Sequence, residues 1–125
     1  MIAQSTQRLI VVSNRLPFVV QNKNGEYVLA PGSGGLVTAL LPVLRDRGGI
    51  WIGWSGMNTD SPELEAAFSR ASREAGYELV PIALSEEEVD KYYHGYSNEV
   101  LWPLFHDLQT RCDFSPEYWH VYVKV

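Results

Sequence analysis

Gly32-Ser33-Gly34-Gly35-Leu36 stands where a strand-like run gives way to a helix-like one, and its reading decides the fold. Before it comes Arg8-Leu9-Ile10-Val11-Val12-Ser13-Asn14, a short apolar burst rich in β-branched residues, which favour strands. After it comes Leu36-Val37-Thr38-Ala39-Leu40-Leu41-Pro42-Val43-Leu44, which reads as a buried helix. Glycines before a helix start let backbone approach a ligand closely, and the helix N-terminus presents free N–H groups and a partial positive charge. A phosphate is the usual guest there. The stretch reads equally as a tight turn that packs a helix on a sheet. It has neither the GxGxxG spacing of a dinucleotide site nor the Lys-Ser/Thr of a P-loop.

Its neighbours favour the phosphate. Ser13-Asn14-Arg15-Leu16-Pro17 closes the first strand, and in an open α/β sheet ligands bind outside the carboxyl ends of the strands. Arg15 therefore stands where a guanidinium can grip phosphate oxygens in a bidentate way. The alternative is an ordinary surface arginine in a loop.

Composition bounds the class. The chain has 125 residues, 46% hydrophobic and 20% charged, which is ordinary for a globular domain and long enough for one core. Net charge is −5 and the pI about 5.1. The absence of a basic cluster argues against nucleic acid as a partner. No apolar run reaches the ~18 residues of a membrane span, and Met1 to Gln7 lacks the charge and apolar core of a signal peptide. The lone Cys112 excludes an internal disulfide, and no Cys/His spacing points to a metal. A cytoplasmic setting fits, with no cofactor expected and a homo-oligomer left open.

The pattern along the chain is β-α-β-α-β-α in one domain, hence a Rossmann-like parallel sheet with flanking helices in three layers. The strands expected in it are Leu9–Ser13, Ile50–Trp54 and Glu78–Ala83. Asn22-Lys23-Asn24-Gly25-Glu26 reads as the turn of a hairpin between Phe18-Val19-Val20 and Tyr27-Val28-Leu29. Arg45-Asp46-Arg47-Gly48-Gly49 ends the first helix, and Pro42 predicts a kink or a late start in it. Ser61-Pro62 caps a helix that runs to Gly76. Ser85-Glu86-Glu87-Glu88 is a capping box that opens a helix through Tyr93. A further helix is expected over Asn98 to Leu108, and another from Ser115-Pro116-Glu117.

The aromatic residues form a second signal. Trp51, Trp54, Tyr92, Tyr93, Tyr96 and Trp102 lie near element ends. Their flat apolar faces and polar edges suit sugar rings and phosphates. Strand alternation puts Trp51 and Trp54 on opposite faces. Core packing is the reading preferred for Trp51 and Tyr92.

At this point the residues carry a resemblance. Arg8-Leu-Ile-Val-Val-Ser-Asn-Arg-Leu-Pro17, Ser33-Gly-Gly-Leu36, Trp51-Ile-Gly-Trp-Ser-Gly56 and Tyr92-Tyr-His-Gly-Tyr-Ser-Asn-Glu-Val-Leu-Trp-Pro-Leu-Phe-His106 resemble, in order, the N-terminal part of the trehalose-6-phosphate synthases. Those are retaining glycosyltransferases with two Rossmann-like domains, the GT-B arrangement. The resemblance extends from about Arg8 to Val125.

The resemblance implies transfer of glucose from a nucleotide sugar, UDP-glucose, to glucose 6-phosphate. It implies that Arg15 binds the acceptor's phosphate and that Trp54, Tyr93 and Trp102 line the acceptor pocket. It implies that Gly34 and Gly35 touch the donor's phosphates. No catalytic side chain and no metal is implied within residues 1–125. The chain is accordingly expected to be the acceptor-binding N-terminal portion, to lack the nucleotide-sugar domain and to be inactive by itself. Two other readings stand beside this one: a glucosylglycerol-phosphate synthase, and a non-catalytic sugar-phosphate sensor or regulatory subunit.

Overall fold

The computed structural model describes residues 7–125. The chain divides into two compact units, one ending at Ala83 and the other running Leu84–Val125.

The first unit is built on a parallel sheet of β1 (Ile10–Arg15), β4 (Ile50–Trp54) and β5 (Glu78–Ile82), in the order β1-β4-β5. Ile10 pairs with Ile50, and Ile50 with Glu78. The three expected strands are thus present and parallel, Ile50–Trp54 with its expected bounds and the other two with ends shifted by one or two residues. Helix α1 (Gly35–Arg47) connects β1 to β4, and α2 (Pro62–Ala75) connects β4 to β5. Between β1 and α1 lies a separate antiparallel hairpin of β2 (Phe18–Lys23) and β3 (Glu26–Pro31). Its turn residues Asn24 and Gly25 have φ of 54° and 86°, the left-handed pair that matches the twist of two antiparallel strands. Asn22 Oδ1 accepts the Gly25 N–H at 3.0 Å.

Local chemistry sets the helix ends. Ser61 Oγ accepts the Leu64 N–H at 3.1 Å, Pro62 occupies the first turn, and Gly76 closes α2 at φ 79°. An N-cap of this kind contributes about 1 kcal/mol. Helix α1 starts at Gly35 with Pro42 inside it, so the proline does not delay its start.

Leu44 of α1, Leu64 and Phe68 of α2, Trp51 of β4 and Leu79 of β5 form one core with Leu16 and Tyr77. Phe18, Val20, Tyr27 and Leu29 of the hairpin pack against it. Both crossover helices therefore cover the same face of the sheet. Ile10 and Val12, on the other face, are 56% and 73% exposed. Within this unit the helices form one layer.

The second unit is helical. Ser85 and Glu88 exchange hydrogen bonds in a capping box at the start of α3 (Glu86–Glu88). The helix continues without a break as a π-helix over Val89–Leu101 and then as α4 (Trp102–Phe105). The expected pair of helices, one ending near Tyr93 and one starting at Asn98, is therefore a single helical span. Gly95 lies inside it, because the Tyr118 ring of α5 (Pro116–Lys124) rests where a side chain would stand. Asp107, at φ 57°, follows the end of the span. Tyr92 stacks on Tyr122 of α5 at 5.7 Å between ring centroids, and Tyr96 meets the same ring tilted at 4.4 Å. Tyr92 thus packs within its unit, as preferred. Burial, with the neighbouring Tyr122 and Tyr93, raises the pKa of its phenol.

Candidate functional site

Arg15 and Trp54 meet at the carboxyl ends of β1 and β4. A β-bulge brings this about. Ser13 pairs with Gly53 but Arg15, not Asn14, pairs with Trp54, so Asn14 is the extra residue. Bulges re-aim side chains next to functional sites. Here the extra residue puts Arg15 beside Trp54, with the guanidinium carbon 4.9 Å from the ring centroid. A cation over an indole face at an exposed site is worth about 0.5–1 kcal/mol.

The surroundings fix this pair. Trp51 is wholly buried, as its core reading requires. Its Nε1–H donates to Ser13 Oγ at 2.8 Å, and Ser13 Oγ donates to the Arg15 carbonyl at 2.7 Å. Trp54 Nε1–H donates to the Met57 carbonyl at 3.0 Å, which holds the indole in the turn after β4. Asn14 Oδ1 is buried without a hydrogen-bond partner. Among the described residues the ion pairs are Lys91–Glu87, Lys91–Glu117 and Lys124–Glu88, and no carboxylate pairs with Arg15. Its guanidinium thus keeps its donors for an anion.

The glycine stretch divides by role. A Cβ on Gly32 would lie 3.0 Å from the Pro17 carbonyl oxygen, and the Gly32 N–H donates to that oxygen at 2.7 Å. This glycine serves a close backbone approach, as the tight-turn reading requires. Gly34 is the N-cap of α1 at φ 129°, with no side-chain cap and no acidic residue in the first turn. A Cβ on Gly34 or Gly35 would meet nothing within 4 Å. The space in front of the α1 N-terminus is open, and its amides lack an anionic side chain.

Tyr93 and Trp102 belong to the second unit. Tyr93 lies within the i→i+5 ladder of the π-helical stretch, and Trp102 follows directly after it. The ladder reaches Trp102 itself, whose N–H donates to the Ser97 carbonyl. Trp102 is 55% exposed. Its ring stacks on His106 at 4.0 Å, and His106 Nδ1 lies 2.6 Å from the Trp102 carbonyl oxygen. Tyr93 meets His94 edge-on at 5.2 Å.

Sequence reasoning missed Gly53, Gly56, Ser13 and His106 as parts of these arrangements. Gly53 and Gly56 stand in the quoted Trp51-Ile-Gly-Trp-Ser-Gly56 motif, but nothing there says which atoms they face. Among the described residues no group of three or more His, Cys, Asp or Glu is placed to hold a metal ion. Among the same residues no helix is long and apolar enough to cross a membrane.

The family model described as glycosyltransferase family 20 matches residues 7–125. Trehalose-6-phosphate synthase of Mycolicibacterium vanbaalenii is 44% identical over 117 residues, 93% of this chain and 24% of that protein. The crystal structure of an α,α-trehalose-phosphate synthase (UDP-forming) from Burkholderia vietnamiensis matches with a TM-score of 0.64 at 30% identity, over 94% of this chain and 22% of its own. The enzyme of that kind from Burkholderia xenovorans, in complex with glucose-6-phosphate, gives 0.62 at 26% identity, over 94% and 23%. The chain spans about a quarter of the length of the curated relatives it matches.

Proposed function

This chain belongs to glycosyltransferase family 20, and we propose that it supplies the acceptor side of an α,α-trehalose-phosphate synthase. The reaction moves glucose from UDP-glucose to glucose 6-phosphate with retention, in the cytoplasm. The observation that carries this reading is the Arg15 guanidinium, paired with no carboxylate among the described residues and set 4.9 Å over Trp54 at the carboxyl end of the parallel sheet.

In this reading Arg15 binds the acceptor's phosphate through charge-assisted hydrogen bonds. Trp54 in the first unit, and Tyr93 and Trp102 in the second, each offer an aromatic face of the kind on which a sugar ring stacks. The open N-terminus of α1, at Gly34 and Gly35, accepts the donor's diphosphate through backbone amides and the helix dipole. The residues named here include no nucleophile. Their contribution is positioning of the acceptor hydroxyl and electrostatic stabilisation of the departing diphosphate. The solved relative with bound glucose-6-phosphate supports the acceptor class.

Arg15→Ala in the full-length protein removes charge-assisted bonds worth about 1.5–3 kcal/mol, so the KM for glucose 6-phosphate rises roughly 10- to 150-fold. An unchanged KM would overturn the assignment. The same assay with glycerol 3-phosphate as competing acceptor separates the reading from a glucosylglycerol-phosphate synthase. Binding of glucose 6-phosphate without transfer by the full-length protein would identify a sensor.

A further inference from the structure

We infer that Gly53 and Gly56 are positioning residues for Arg15, one making room for the bulge that aims it and the other for its guanidinium. The inference rests on the proposed role of Arg15 in holding the acceptor's phosphate.

Gly53 faces the bulge. A Cβ there would lie 2.8 Å from the Ser13 carbonyl oxygen, 3.1 Å from the Leu16 nitrogen and 3.2 Å from the Arg15 carbonyl carbon. All three are backbone atoms, so no rotamer change relieves the contact. The backbone of Gly53 itself is not left-handed. Its glycine is demanded by the close approach of the bulged strand, not by its own φ.

Gly56 faces the guanidinium. A Cβ there would lie 2.8 Å from Arg15 Nη2 and 3.2 Å from its Cζ. The turn that carries Gly56 is fixed at several points. The Ser55 N–H donates to the Ile82 carbonyl at 3.0 Å, and Ser55 is wholly buried. The Met57 N–H donates to Ser55 Oγ at 3.1 Å, and the Met57 carbonyl accepts the Trp54 indole N–H. A turn so tied does not retreat. The flexible end of Arg15 is what gives way. The steric part of a Gly56→Ala change is therefore cheap for folding, because the guanidinium swings out. It is costly for function, because the swing takes the guanidinium off Trp54 and away from the acceptor's phosphate.

The test is a double-mutant cycle in the full-length protein, with KM for glucose 6-phosphate as the readout. Gly56→Ala also carries left-handed strain at φ 87°. Gly76→Ala is its control, with φ 79° and nothing within 4 Å of the added Cβ. Gly56→Ala is expected to raise the KM roughly ten- to a hundredfold. Gly76→Ala is expected to leave the KM unchanged, and Gly56→Ala/Arg15→Ala to match Arg15→Ala alone. A wild-type KM for Gly56→Ala, or effects that multiply in the double variant, would overturn the inference and leave the role of Arg15 standing. An Arg15→Ala variant with a wild-type KM would instead remove the premise and the inference with it. If Gly56→Ala does not fold, the unsubstituted protein decides by NMR of the Arg15 Nε–H. An upfield ring-current shift of that proton from the Trp54 face, lost in Trp54→Leu, supports the seat, and an unshifted resonance overturns it whatever the kinetics show.

Discussion

Each unit carries its candidate site residues on an irregular element, a bulged strand in the first and a π-helix in the second. In the first, a strand holds one residue too many, and the bulge at Asn14 sets Arg15 opposite Trp54. In the second, the π-helix Val89–Leu101 carries Tyr93 and runs directly into Trp102. Each irregularity gives up regular hydrogen bonding, so each needs support from outside its own element. The bulge has that support in the core, through Trp51 and Ser13. The π-helix has it from α5, whose Tyr118 lies on Gly95 and whose Tyr122 stacks on Tyr92 and meets Tyr96 tilted. The core side chain is wholly buried, whereas Trp119 of α5 is half exposed. The strand irregularity is the more firmly held of the two.

The largest expected effect tests that firmness. Trp51→Ala empties a fully buried indole site and is expected to cost about 3–5 kcal/mol of stability, read from the shift of the denaturant midpoint. Trp51→Phe keeps most of the packing and removes the bond to Ser13. It is expected to cost about 1 kcal/mol and still to raise the acceptor KM, because the Ser13 hydroxyl then loses its place under the bulge. A Trp51→Phe variant with wild-type kinetics would mean that the bulge holds itself and that the core support is incidental.

The second test acts on the helix. Replacing an interior helical glycine by alanine ordinarily gains about 0.8–1 kcal/mol. At Gly95 the new Cβ would stand 2.6–2.9 Å from three ring carbons of Tyr118, and overpacking of this kind costs about 1–3 kcal/mol. The clash outweighs the gain in helix propensity, so Gly95→Ala is expected to destabilise the protein by roughly 1–2 kcal/mol on thermal or denaturant unfolding. Adding Tyr118→Ala should reverse the sign of the Gly95→Ala step, since only the propensity gain then remains. A stabilising Gly95→Ala in the presence of Tyr118 would show that α5 does not constrain the winding.

What could be read in the sequence, and what could not, follows the same division. The parallel strands, the Asn24-Gly25 hairpin, the Ser61 cap and the capping box at Ser85 were legible, because each rests on local chemistry or on an ideal period. The break expected between Tyr93 and Asn98 was wrong. Gly95 falls in that expected break, and nothing local announces that Tyr118, twenty-odd residues on, fills its side-chain space. The candidate site residues were legible through motifs that resemble a family and through their position at strand ends. Their mutual arrangement was not. Period-2 and period-3.6 reading assumes regular ladders, so a one-residue bulge and a π-winding are invisible to it. For the same reason the motif glycines gave no sign of which of them serve packing, as Gly32 does, and which face open space, as Gly34 and Gly35 do.

The smallest expected effect concerns the tie between the start of the long helical span and α5. Glu88 closes the capping box through the Ser85 N–H, and its other oxygen accepts a 2.7 Å bond from Lys124. The Lys124 bond and then the Ser85 bond hold the Glu88 carboxyl below its ordinary pKa, and the same pair raises the pKa of Lys124. Lys124 is largely exposed, so solvent and salt screen the pair and it contributes little. Glu88→Gln keeps a capping-box acceptor but loses the ion pair and the negative charge at the helix start. It is expected to lower stability only slightly at neutral pH, as for an exposed pair. The sign with pH follows from the lowered pKa: the contribution is whole above the ordinary glutamate pKa and is lost as pH falls through the depressed one. Melting curves of the unsubstituted protein and Glu88→Gln should therefore differ at pH 7 and converge in acid. The difference at pH 7 should also shrink in high salt. A gap that persists in acid would assign the effect to hydrogen-bond geometry in the capping box. The tie to α5 would then contribute nothing to holding the π-winding in place.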